Sequence, residues 1–202
     1  MPVLLVANGP ASDAFISNPK DFAPPAGLLS GTDGFKAAYQ GFAIEDGKQS
    51  YTVALWDSMD HATKAIQDPK FAPIVAKMGE AFSGEAARHA IDVSADTTAA
   101  LTAPVTAILI FTLKSGQSAD NLLTHVGELA KNLDGGVAGA KSPSLYGKSA
   151  TDANKVLLIT GWESAEAHQA VVKGGSQSAV FGKIQEAADF TVAHTTLRKG
   201  EA

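Results

Sequence analysis

The chain carries one pattern twice, and no other feature of its sequence limits the fold as tightly. Tyr51-Thr52-Val53-Ala54-Leu55-Trp56-Asp57-Ser58 returns as Leu157-Leu158-Ile159-Thr160-Gly161-Trp162-Glu163-Ser164, an apolar run closing in Trp, an acid and Ser, 106 positions later. At that spacing Leu4 to Ser12 aligns with Ile110 to Ser118 and Lys77 to Ala81 with Lys183 to Ala187; after a one-residue gap His89 meets His194. Solenoids and propellers repeat every ~20–50 residues, so a period this long implies two copies of a small domain. We expect them at residues 1–97 and 98–202, joined by the Ala-, Thr- and Ser-rich stretch Ser94 to Ala103.

The second copy is the clearer. Val105 to Leu113 is an apolar, β-branched strand, and Lys114 to Ser118 supplies a turn and a helix N-cap. From Ala119 to Leu133 an amphipathic helix follows, its stripe formed by Leu122, Val126, Leu129 and Leu133 and its end by Gly135-Gly136. A strand at Ser144 to Gly147 and a buried strand at Lys155 to Trp162 make a hairpin. Ser164 then caps a helix that breaks at Gly174-Gly175 and resumes from Gln177 to about Ala188, before a last strand at Phe190 to Leu197.

The order is β-α-β-β-α-β, an α+β arrangement of the ferredoxin-like kind with helices on one face of an antiparallel sheet. Copy one repeats it with strands at Val3 to Ala7, Phe35 to Ile44, Gln49 to Trp56 and Arg88 to Val93, and a helix from Met59 to Phe82 interrupted around Pro69 and Pro73. Its first helix is broken by Pro19, Pro24 and Pro25, which remove amide donors and disfavour helix in the residue before them.

Bulk properties narrow the function. A net charge of −5 does not favour a nucleic-acid partner or an anionic membrane surface. No stretch has the length of a membrane span, and Pro2 to Ala7 lacks the basic flank of a secretory signal, so a soluble cytoplasmic protein is expected. With no cysteine, thiolate catalysis and Cys-ligated metal are excluded. The five histidines have no metal-binding spacing, and no glycine-rich nucleotide motif is present, so neither metal nor cofactor is expected.

The repeated strand-Trp-acid-Ser-helix segment, best seen in Trp162-Glu163-Ser164-Ala165-Glu166-Ala167-His168 and more loosely in Trp56-Asp57-Ser58-Met59-Asp60-His61, resembles the dimeric α/β-barrel superfamily. That superfamily includes antibiotic-biosynthesis-type monooxygenases and stress-responsive A/B barrel proteins, and the tandem form is similar to fungal proteins. The resemblance implies an intramolecular barrel, a pseudodimer of the two repeats, with a further homodimer left open. Cofactor-independent monooxygenases of the superfamily place an Asn four residues before the Trp, where this chain has Thr52 and Leu158. Related cyclases use a His after the second helix break, and Asp68-Pro69-Lys70-Phe71 and Gly174-Gly175-Ser176-Gln177 contain none.

Two readings follow. In one, a small hydrophobic or phenolic compound is bound, and converted without a cofactor by a monooxygenase- or cyclase-like enzyme. His125, at the edge of its helix stripe, and His194 are then the proton-transfer candidates, because histidine titrates near neutrality. Tyr146 and Trp162, with Tyr39, Trp56 and His89 in copy one, are the ligand-contact candidates. In the other reading the protein is a non-catalytic stress or ligand-binding protein, with haem a lesser candidate ligand. His61 and His168, in the first turn after a Ser cap, are expected to be exposed or bonded locally. Copy two is the expected ligand site.

Overall fold

The computed structural model describes residues 1–22, 29 and 31–200. They form two compact units, one of residues 1–90 joined by the segment from Arg198, the other Ile91–Leu197.

In the first unit the elements are β1 (Val3–Pro10), α1 (Asp13–Ser17), β2 (Phe35–Phe42), β3 (Gln49–Trp56), α2 (Met59–Gln67), α3 (Ala72–Gly79) and β4 (Ala87–Asp92). Single 3₁₀ turns at Pro19–Phe22 and Pro69–Phe71 follow α1 and α2. The second unit holds α4 (Thr98–Leu101), β5 (Val105–Leu113), α5 (Ala119–Asp134), β6 (Ala140–Lys148), β7 (Lys155–Trp162), α6 (Ala165–Lys173), α7 (Ser178–Ala187) and β8 (Ala188–Thr195). The chain then returns to the first sheet as β9 (Arg198–Lys199).

Both sheets have the ferredoxin-like strand order, β4-β1-β3-β2-β9 and β6-β7-β5-β8, so the fold is α+β with two β-α-β-β-α-β repeats. In β5 and β7 nearly every residue is buried, which is why they read as continuous apolar runs rather than alternating ones. One face of this sheet packs Val105, Ala107, Leu109, Phe111, Leu158 and Trp162 under the α5 stripe Leu122, Val126, Leu129 and Leu133.

The Trp-acid-Ser segment has the same physical job in each unit. The Trp ends a buried strand, and the Ser hydroxyl caps the next helix: Ser58 accepts from the His61 amide and Ser164 from the Ala167 amide. The acid pairs with a lysine of the adjacent strand, Asp57 with Lys36 at 3.1 Å and Glu163 with Lys141 at 2.7 Å.

The first helices differ as expected. In α5, 16 residues run unbroken until Gly135, and Gly136 turns the chain at φ +103°, a conformation that favours glycine. In contrast α1 has 5 residues and stops before Pro19, with Asn18 forced out of the helical region. Pro24 and Pro25 lie outside the described residues. Pro73 does not interrupt a helix; it sits in the first turn of α3, where its missing amide costs no hydrogen bond.

Two sequence expectations are corrected. The stretch Ser94 to Ala103 is not a bare linker, because it contains α4, whose Ala100 and Leu101 are fully buried. The Thr106 hydroxyl donates to the Ala100 carbonyl at 2.8 Å, and Gly161 admits the α4 backbone, since a Cβ there would lie 2.7 Å from the Ala99 carbonyl oxygen. The repeat alignment also slips in the first strand. Val3 lies opposite Trp56 and Val105 opposite Trp162, so equivalent strand residues are 102 apart while the capping serines Ser12 and Ser118 are 106 apart. Three of the four extra residues lie in the longer β5–α5 turn and one in β5 itself.

Candidate active site in the second unit

The register of the second sheet assembles a polar row inside an apolar face. Ala107 of β5 lies opposite Thr160 of β7 on one side and opposite His194 of β8 on the other. Residues directly opposite in a sheet share a face, and Ala107 belongs to the helix-facing core, so Thr160 and His194 face the helices as well. The small Ala107 side chain leaves room between them.

Above this row His168, in α6, closes the arrangement. Its Nδ1 lies 2.7 Å from His194 Nε2, and its ring stacks on Trp162 with centroids 4.6 Å apart and planes at 31°. The Trp162 Nε1–H donates to Thr160 Oγ1 at 2.8 Å. Thr160, Trp162, His168 and His194 are thus one connected group. Burial, with the neighbouring His194 second, pushes the His168 imidazole down to about 4, so the ring is neutral near physiological pH.

A cavity of about 210 Å³ adjoins the group. Leu109, Leu129, Leu158 and Phe181 give it apolar walls, while Thr160 and His168 are its polar contacts with the connected group. The bond to His194 occupies His168 Nδ1, which leaves Nε2 as the uncommitted nitrogen of a ring that lines the cavity.

Of the residues singled out in the sequence, the structure brings together Trp162 and His194. His125 is half-buried on α5 and does not line the cavity; its Nδ1 has no hydrogen-bond partner among the described residues. Tyr146, on β6, has its ring over Gly127 of α5 beside Leu123 and Thr124, away from the cavity lining. Tyr39, Trp56 and His89 are buried in the first unit, none of them lining the depression described there next. Trp56 is a core anchor, packed edge-on against Phe35 at 5.3 Å.

The first unit has a more open depression of about 400 Å³, lined by the charged groups Asp33, Lys64 and Asp68 together with the His61 ring. There His61 is bonded locally, as expected, with Nδ1 2.8 Å from the Ser58 hydroxyl.

Sequence reasoning missed Thr160 and misplaced His168, which is neither exposed nor bonded only within its own turn. The signal was present. His168, Val171 and Val172 fall at i, i+3 and i+4, the spacing of one helix face, and all three line the cavity. The aligned position in copy one is Ala62, which is fully buried.

No protein-family model and no curated protein sequence matches the chain. Solved structures do. An anthrone oxidase-like protein superposes with a TM-score of 0.74 at 12% identity, covering 100% of this chain and 94% of its own. A candidate monooxygenase from Lactobacillus acidophilus NCFM gives 0.68 at 12% identity, covering 99% and 94%. Another from Fusobacterium nucleatum gives 0.65 at 12% identity, covering 99% and 93%. The chain therefore shares the α+β fold of these proteins along its whole length.

Proposed function

We propose that the second unit binds a small hydrophobic or phenolic compound in the cavity beside His168 and oxidises it with dioxygen, without a cofactor. The observation that carries this reading is the His168–His194 contact at 2.7 Å beside an apolar cavity, with His168 held neutral. When His168 donates its Nδ1–H to His194 Nε2, its Nε2 lone pair is free to accept a proton. A base this weak takes a proton only from an activated acid, such as the methylene of an aryl ketone or an electron-poor phenol. The resulting anion reacts with dioxygen, and one oxygen atom becomes the product carbonyl while the other leaves as water; that water takes both hydrogens of a methylene, or, for a phenol oxidised to a quinone, the hydroxyl hydrogen and the single hydrogen of the oxidised ring carbon. Cavities lined by apolar groups with a few placed polar atoms are the usual setting for such ligands.

Oxygen uptake with a panel of activated phenols and aryl ketones tests the proposal. Turnover is expected in the native chain, and a loss of at least about a hundredfold in His168→Gln, the usual contribution of general base catalysis. A second reading, non-catalytic binding, draws on Leu158 standing four residues before Trp162, where an apolar side chain adds no polar group to the cavity. It is preferred if those compounds bind the native protein and none consumes oxygen.

A further inference from the structure

Thr160 is 2% exposed and lines the cavity. A threonine hydroxyl carries one proton and two lone pairs, and an indole N–H only donates. Because Trp162 Nε1 donates to Thr160 Oγ1, the threonine is the acceptor in that bond and keeps its own proton. No group among the described residues accepts it. A buried hydroxyl donor without an acceptor is costly, and here the open space beside it is the ligand cavity.

We infer that Thr160 binds the ligand by donating its hydroxyl proton to a ligand oxygen, and that the ligand is an oxygenated aromatic of one or two rings. This rests on the reading that the cavity binds a small aromatic compound. The size follows from volume, because an apolar cavity of roughly 150 Å³ holds benzene. The 210 Å³ here admits a substituted ring or two fused rings, and falls short of the roughly 300 Å³ at which drug-sized sites begin. The indole donor orients Thr160, Thr160 orients the ligand oxygen, and the ring stacked on that same indole is His168. The ligand oxygen and the uncommitted His168 nitrogen therefore meet in the same corner of the cavity. In the first unit Ala54 aligns with Thr160 and Ala62 with His168, so this polar corner belongs to the second unit alone.

The test compares 2-naphthol with naphthalene, which differ by one oxygen, on the full chain. The two tryptophans give two indole N–H signals by NMR, one for each unit, assigned with Trp56→Phe. Both compounds are expected to shift the Trp162 signal and leave that of Trp56 in place, with 2-naphthol binding about five- to ten-fold more tightly, the worth of one hydrogen bond. Thr160→Val is expected to abolish that preference and Thr160→Ser to keep it. Thr160→Ala serves as a companion to the valine variant, because alanine already stands at this position beside Trp56. If both compounds bind equally, or the preference survives in Thr160→Val, the assignment of Thr160 is overturned while the cavity reading stands. If neither compound shifts the Trp162 signal, both are overturned.

Discussion

The two units share a strand order and a Trp-acid-Ser junction, yet the same tryptophan stands in different chemical company. Trp162 has a hydrogen-bond acceptor in Thr160 and a stacked imidazole in His168; Trp56 has neither, and its buried Nε1 lacks a partner among the described residues. Two substitutions account for the difference, since Ala54 and Ala62 occupy the aligned positions. A long α5 covers the second sheet, whereas α1 is a single short turn of helix. Fold and site are thus separable in this chain: the anchor, cap and ion pair maintain the architecture twice, and the polar corner is built once.

The comparison is broken most severely by removing the anchors. Trp162→Ala is expected to cost about 4 kcal/mol, within the range for large core aromatics, and Trp56→Ala somewhat less because it forfeits no side-chain hydrogen bond. Urea unfolding, followed unit by unit through resolved backbone amide signals, reads each loss in the unit that carries the substitution. Equal losses would show that the Thr160 bond adds nothing to stability.

Acid is expected to have the next largest effect, and on the second unit. The His168 ring is pushed from its usual 6.5 down to about 4 in the folded chain, so below 6.5 the unfolded state takes up a proton that the folded state refuses. The contribution is complete above pH 6.5, declines as the pH falls towards 4, and amounts to about 3 kcal/mol across that window. Stability of the second unit, monitored by Trp162 between pH 7 and pH 4, is expected to fall accordingly and to flatten in His168→Gln. An unchanged slope in that variant would assign the acid sensitivity elsewhere.

The smallest effect sharpens the comparison from the other side. Ala54→Thr offers Trp56 the acceptor that Trp162 already has, and is expected to stabilise the first unit by about 1 kcal/mol. The downfield shift of the Trp56 indole proton checks that the bond forms; stabilisation without that shift would point to strand propensity instead.

Much of this was legible in the sequence, because element order, caps and core stripes are local properties of residue spacing. The strand-helix order, the Ser caps and the shortened first helix all follow from neighbouring residues. The four-residue slip of the first strand does not, because register is set by pairing with β3 and β7, far along the chain, and the two strand-to-helix turns differ in length. The α4 segment was masked by its composition, as Ala, Thr and Ser are ordinary in linkers and say nothing of what Gly161 leaves room for. His168 was obscured for a similar reason. Its position after the cap suggests solvent, but its partners are Trp162 and a histidine 26 residues away, and only their meeting on one face reveals them.

The short strand β9 bears on how the chain is made. Tyr39 and Gln40 of β2 take Lys199 and Arg198 as their edge partners, residues translated only after the whole second unit. The outer edge of the first sheet therefore stays uncovered while the whole second unit is synthesised. An open edge is a template for unwanted pairing, and here its cover carries two positive charges that discourage a further strand from adding. The unit whose strands are translated first completes its hydrogen bonding only after the second unit has been made.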